Sequence, residues 1–185
     1  TKKTAIYVTH DQSEAFAISD RIFVMNQGHI EQAGTQLDIY LRPQSEFVAN
    51  FVGDNNPLHG TVTGFVRQDD GTRLVEVTSG AVKLLAIDAG SLKMGDSAVA
   101  FVRPETIEVV EPGEQADNPY VLAGTVEQVV FEGPTVRLIV EVGGTPLLVE
   151  VGGLTRLSLI GADRKRIRIW PREVSAVRDH SAVAA

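Results

Sequence analysis

The chain contains no cysteine, which excludes a disulfide framework, a thiolate metal site and a cysteine nucleophile and fits a reducing compartment. Apolar runs are short. None approaches the roughly 18 to 20 residues needed to span a bilayer, and the opening Thr1-Lys2-Lys3-Thr4 has no signal-peptide core behind it. A cytoplasmic chain is expected, reaching a membrane only through a partner. Aromatic residues make up 6% of the sequence and Trp170 is the single tryptophan, which leaves few stacking platforms for a nucleic acid. Positive charge is also scarce: 17 basic residues face 24 acidic ones, a formal net charge of −7. Such a surface repels phosphate backbones, so no nucleic-acid partner is expected. The one basic cluster, Arg164-Lys165-Arg166 with Arg168, alternates with Ile167 and Ile169 and reads as a strand with a solvated basic face.

Complete catalytic motifs are missing as well. No lysine follows a glycine, so there is no phosphate-cradling Gly-Lys-Ser/Thr loop, and no Asp-Glu pair ends an apolar strand. There is no His-Glu-x-x-His helix and no Gly-x-Ser-x-Gly elbow. The four histidines, His10, His29, His59 and His180, lack metal-ligand spacing. This chain alone is not expected to turn over a substrate.

What is present divides near Gly53. Thr4 to Thr9 is an apolar, β-branched run of the kind buried in a parallel sheet, and Asp11 to Ser19 has helical spacing with Ala15 and Ile18 on one side. Asp20 to Met25 returns to β character, and Asn26-Gln27-Gly28 signals a hairpin into His29-Ile30-Glu31-Gln32. Thr35 can cap a helix to Leu41, and Pro43 with Ser45 opens another to about Val52. Gly53-Asp54-Asn55-Asn56-Pro57 is five turn-formers in a row and marks a boundary, giving an α/β segment at 1–53 and a β domain at 54–185. The β half repeats itself over about 57–110 and 121–178. Gly60-Thr61-Val62 recurs as Gly124-Thr125-Val126, Arg73-Leu74-Val75 as Arg137-Leu138-Ile139, and Val102-Arg103-Pro104-Glu105 lines up with Ile169-Trp170-Pro171-Arg172. The polar stretch from Glu111 to Pro119 reads as the loop between them.

The most specific string is Ile6-Tyr7-Val8-Thr9-His10-Asp11-Gln12-Ser13-Glu14-Ala15. A histidine at the end of a buried strand, just before a helix, sits where open α/β sheets bind ligands and can offer an N–H to a phosphate oxygen. By residue type alone a hydrogen-bonded loop histidine is the commoner case. The whole segment resembles the end of the nucleotide-binding domain of bacterial ABC importer ATPases of the maltose, polyamine and iron(III) group. The matching elements are Val8-Thr9-His10-Asp11-Gln12, Asp20-Arg21, Gly28-His29-Ile30-Glu31-Gln32, Tyr40-Leu41-Arg42-Pro43 and Phe47-Val48-Ala49-Asn50-Phe51-Val52-Gly53. Gln36 departs from the proline frequent there.

The resemblance implies that His10 is a switch histidine contacting the γ-phosphate of ATP, with ATP and magnesium bound in an intact parent and none by this chain alone. Asp11, Gln12 and Glu14 are read as helix N-terminal residues rather than catalysts. The family's phosphate loop, signature loop and Asp-Glu strand lie upstream of His10, so the chain reads as a fragment. The second half resembles the TOBE region of these ATPases, a pair of small OB-like β units; Arg103-Pro104-Glu105 is either a binding element or, the favoured reading, a strand-ending turn in which Arg103 and Glu105 pair locally. Fold class is therefore expected to be mainly β: a truncated α/β end followed by an OB-like domain of two similar units. The implied partners are a second copy and the transmembrane permease subunits of an importer, with the protein peripheral on the inner face of the plasma membrane and the β domain regulatory. The alternative function is a small-ligand module that binds an oxyanion, as some TOBE relatives bind molybdate. A severed sheet edge at Thr4–Thr9 would favour self-association.

Overall fold

In the computed structural model, which describes residues 3–68, 71–88, 92–111, 113–115, 117–162 and 164–179, the chain falls into two units, one up to Gly53 and the other from Asp54. Thr1, Lys2 and His180, and residues 112 and 116 of the stretch from Glu111 to Pro119, lie outside the described residues.

In the first unit the strand expected at Thr4–Thr9 is not formed. A strand is held by ladder hydrogen bonds to a neighbour, and among the described residues none pairs with this run, so it has no regular secondary structure. Its apolar side chains stay in solvent, Ile6 93% and Val8 90% exposed. Helix α1 (Gln12–Ile18) follows and buries no residue, so the expected apolar side at Ala15 and Ile18 finds no core. Strands β1 (Ile22–Asn26) and β2 (His29–Gly34) form the hairpin. Gln27 (φ 48°) and Gly28 (φ 82°) both take left-handed backbone, the requirement of the two-residue turn that matches strand twist.

Helix α2 (Gln36–Leu41) starts from a reciprocal cap in which Thr35 and Asp38 each satisfy the other's backbone N–H. The Thr35 hydroxyl and then its N–H hold the Asp38 carboxyl below its usual range. Ser45 caps α3 (Glu46–Phe51). Val24, Ile39, Val48 and Val52 form a small core, with Phe16, Ile22 and Tyr40 against it. Buried Gln32 ties the hairpin to the helices: its amide donates to the carbonyls of Asp38 and Arg42 and accepts from the Gln44 N–H.

The second unit contains two five-strand sets. A closed barrel holds β3 (Asn56–Arg67), β4 (Arg73–Ser79), β5 (Val82–Asp88), β6 (Ser97–Val102) and β12 (Val174–Arg178). An open sheet has the order β10 (Thr145–Val151), β9 (Val136–Val142), β8 (Leu122–Phe131), β11 (Arg166–Pro171), β7 (Ile107–Val110). Asn56 and Pro57, read above as turn-formers, begin β3 instead, Pro57 opposite Phe101. A short 3-10 turn, Pro104–Thr106, links β6 to β7, and α4 (Thr155–Leu159) lies between β10 and β11.

The register makes the duplication explicit and corrects it in detail. Val62 and Val126 each precede a bulge, and they oppose Val77 and Val140 respectively. Counting on from those pairs, the counterpart of Val75 is Leu138, so Arg73 and Arg137 are not equivalent and the sequence match in that strand is one residue out of step. The side-chain period of two explains why this matters: Val75 and Leu138 are both fully buried, whereas Arg137 stands in the place of Leu74. The last strands are exchanged. β7, which follows β6 in sequence, pairs with β11 (Glu108 opposite Trp170), while β12 pairs with β6 (Ser175 opposite Phe101). One core runs through both sets, from Leu58, Val77 and Leu84 to Leu138, Leu147 and Ile169.

Candidate functional site

His10 occupies the bend between the irregular segment and α1, and its imidazole is exposed and makes no hydrogen bond to another described residue. The bend is built by its neighbours. Thr9 Oγ1 accepts the Asp11 N–H at 2.9 Å, and Asp11 Oδ1 accepts the Glu14 N–H at 3.0 Å, so Asp11 is the N-cap of α1. Glu14 Oε2 in turn accepts from the Tyr7 hydroxyl (3.0 Å) and the Thr9 hydroxyl (3.1 Å). Asp11 and Glu14 are thus spent on holding the loop, and His10 is the one side chain of the motif left facing solvent with a ring N–H to give. Beside it α1 and α2 flank a shallow groove of about 360 Å³ lined by Gln12, Phe16, Leu37, Tyr40 and Val52.

In the second unit the Arg-Pro-Glu string is a strand end, as expected: Pro104 opens the 3-10 turn and Arg103 is its N-cap residue. Arg103, only 3% exposed, sends its guanidinium to the Asp54 carbonyl at 3.0 Å. The expected basic face on β11 is partly employed, because Arg168 donates to the carbonyls of Glu114 (2.8 Å) and Gln115 (3.1 Å) and holds that loop. Two clusters escaped the sequence reading. Glu76 accepts from the Tyr120 hydroxyl at 2.6 Å and pairs with Lys83 at 2.9 Å; those two contacts lower its pKa, while burial and then Glu76 push the Tyr120 phenol up to about 12. Arg137 meets Asp54 (2.9 Å), Glu132 (3.2 Å) and Glu150 (3.3 Å). Each cluster joins a pair close in sequence, Glu76 with Lys83 and Glu132 with Arg137, to a distant member, Tyr120 in the first and Asp54 in the second, so no local motif announces either.

A model of the TOBE domain matches residues 100–169. The spermidine/putrescine import ATP-binding protein PotA of Oleidesulfovibrio alaskensis is 39% identical over 174 residues, covering 94% of this chain and 45% of that protein. PotA of Lawsonia intracellularis is 40% identical over 144 residues, 77% of this chain and 38% of that protein. The chain therefore spans less than half the length of these relatives. Among solved structures, the cytoplasmic molybdate-binding protein ModG, in a form with molybdate bound, superposes with a TM-score of 0.55 at 19% identity over 65% of this chain and 94% of its own. At that identity the likeness is one of fold. Because the match to the import proteins extends over 94% of the chain and so takes in residues of both units, the chain is a relative of the C-terminal region of ABC importer ATP-binding subunits, and residues 100–169 of its β unit match the TOBE domain.

Proposed function

We propose that the chain is the C-terminal part of the ATP-binding subunit of an ABC importer, with His10 acting on bound nucleotide and the β unit serving regulation and subunit contact. The observation that carries this is the 39% identity over 94% of the chain, which embraces both units at once. The solute is proposed to be a polyamine, the class in the relatives' name. The partners are a second copy and the transmembrane permease subunits, which would hold the protein on the inner face of the plasma membrane. No nucleic acid is among them.

The residues present fit one contact to ATP and not a complete site. His10 offers a directed donor from a loop braced by Thr9, Asp11 and Glu14, and such a donor stabilises charge developing on a transferring phosphoryl group. Magnesium and the phosphate chain belong, on this reading, to the phosphate loop and Asp-Glu strand that the resemblance places upstream of His10. In a protein that carries this chain behind its nucleotide-binding motifs, His10→Ala is expected to lower ATP turnover by about 10² or more with an unchanged melting temperature. Near-normal turnover would make His10 a loop residue only. The 185-residue chain by itself is expected to show no ATP hydrolysis.

The small-ligand reading rests on the fold shared with ModG. Trp170, stacked beneath the Arg172 guanidinium at 4.1 Å, provides its test: molybdate titration is expected to leave the Trp170 fluorescence unchanged.

A further inference from the structure

The two strand sets end differently. In the barrel, β12 lies parallel to β5, with Val174 opposite Ala86, and closes the ring. In the second set the equivalent strands are β7 and β10. They lie near each other, yet among the described residues they form no ladder, and they are the two edges of the sheet. On the β10 side a side chain takes the place of a ladder partner at Leu148. Asn56 Oδ1 accepts the Leu148 N–H at 2.7 Å, and Asn56 Nδ2 donates to the Leu148 carbonyl at 2.9 Å and to the Val102 carbonyl at 3.1 Å. An amide presents the same donor and acceptor as a peptide group, so Asn56 mimics one residue of the missing strand. Leu148 belongs to the second set and Val102 to the barrel, so this buried amide bridges the two.

Two residues earlier the chain is fastened again. Arg103, at the start of the crossing from β6 to β7, donates to the Asp54 carbonyl, and Arg137 on β9 pairs with the Asp54 carboxylate at 2.9 Å. The segment that follows Gly53 is thus attached to both strand sets before β3 begins. Beside the shared core, this seam is held by side-chain bonds from Asp54 and Asn56 where the barrel has a backbone ladder, and a ladder is the costlier of the two to open.

We infer that Asp54–Asn56 is a strap holding shut the seam between β10 and the β6–β7 crossing, and that this seam is the hinge at which the β unit opens. The regulatory use of the hinge rests on the function proposed above; the hinge itself does not.

Hydrogen–deuterium exchange on the 185-residue chain tests it. Asn56→Ala is expected to speed exchange in 145–151 by about tenfold to a hundredfold while 73–88 in the barrel stays protected. Asn56→Asp, which keeps an acceptor for the Leu148 N–H but turns a carboxylate oxygen toward the Leu148 and Val102 carbonyls, is expected to show the same pattern at least as strongly. Unchanged exchange in 145–151, or an equal rise in 73–88, overturns the inference. No ATP or permease enters this measurement, so failure of the hinge and failure of the importer reading are seen separately.

Discussion

The barrel and the second sheet of the β unit were built on one plan, and their differences show where chemistry was changed without changing the fold. Gly60 and Gly124 occupy the same place in β3 and β8, pressed against the backbone carbonyls of Thr78 and Glu141 respectively. The turn before the fourth strand is also made twice. Val62 exchanges hydrogen bonds with Gly95 and Asp96, and Val126 does so with Arg164 and Lys165. Gly95 takes its left-handed φ of 82° freely, whereas Arg164 is forced to 63°. The pair Leu74–Ile87 in the barrel becomes Arg137–Glu150 in the second sheet. Backbone register survived in each case because ladder bonds and the period of two fix it, while the outer side chains were free to diverge.

The largest expected effects test the shared plan. Adding a methyl group at Gly60 drives it into the Thr78 carbonyl of the neighbouring strand, and at Gly124 it meets Val140 Cγ1 at 2.5 Å and the Glu141 carbonyl at 2.8 Å. Gly60→Ala is expected to cost about 3 kcal/mol and Gly124→Ala about 2 kcal/mol, since a valine methyl can yield where a carbonyl cannot. Urea midpoints measure both. Equal, negligible losses would break the equivalence of the two strands.

A smaller effect of opposite sign tests the turns. Arg164→Gly should stabilise the chain by about 1 kcal/mol and Gly95→Ala should destabilise it by a similar amount, because only the second introduces a side chain at a left-handed position. Chemical denaturation of the pair would show the sign directly, and a loss of stability in Arg164→Gly would mean that the arginine makes a compensating contact.

The smallest effect is confined to the barrel. Glu76 and Lys83 have Ile139 and Pro146 as their counterparts in the second sheet, which therefore has no titrating cluster there. Tyr120 and then Lys83 lower the Glu76 pKa from its ordinary 4.5, so this stabilisation is complete above that value and is lost as pH falls through the lower folded-state value. The Tyr120 phenol is raised from 10.0 to about 12, so its share is complete below pH 10 and is lost as pH climbs toward 12. The stability gap between the native chain and Tyr120→Phe should be widest at neutral pH and narrow at both ends. A gap that does not vary with pH would show that the hydroxyl contributes nothing beyond packing.

Much of this was legible in the residues. The hairpin at Gln27-Gly28, the Thr35 and Ser45 caps and the recurrence of Gly-Thr-Val are local signals read by local rules. So was the His10 loop, whose neighbours cap and brace a turn within a few positions of one another. Thr4–Thr9 was misread for the opposite reason. Its β-branched composition is real, but a strand exists only with a partner, and a single run cannot state whether it has one. Asn56 was misread as a turn-former because its composition class is right for turns, while its use as a surrogate strand depends on Leu148, ninety-two residues away.

The sequence by itself determined that the chain is mostly β and that the β part is duplicated, both of which follow from periodicity and spacing; the switch-histidine reading of the His10 loop is what its family resemblance implies. Only the tertiary structure decided the rest. It moved the alignment of β4 with β9 by one residue, exchanged β7 and β12 between the two sets, buried Arg103 against Asp54 and left one set open. The physical reason is that register and strand exchange are set by long-range backbone pairing. Two strands of the same composition pair equally well in their own set or across it until the whole core is packed.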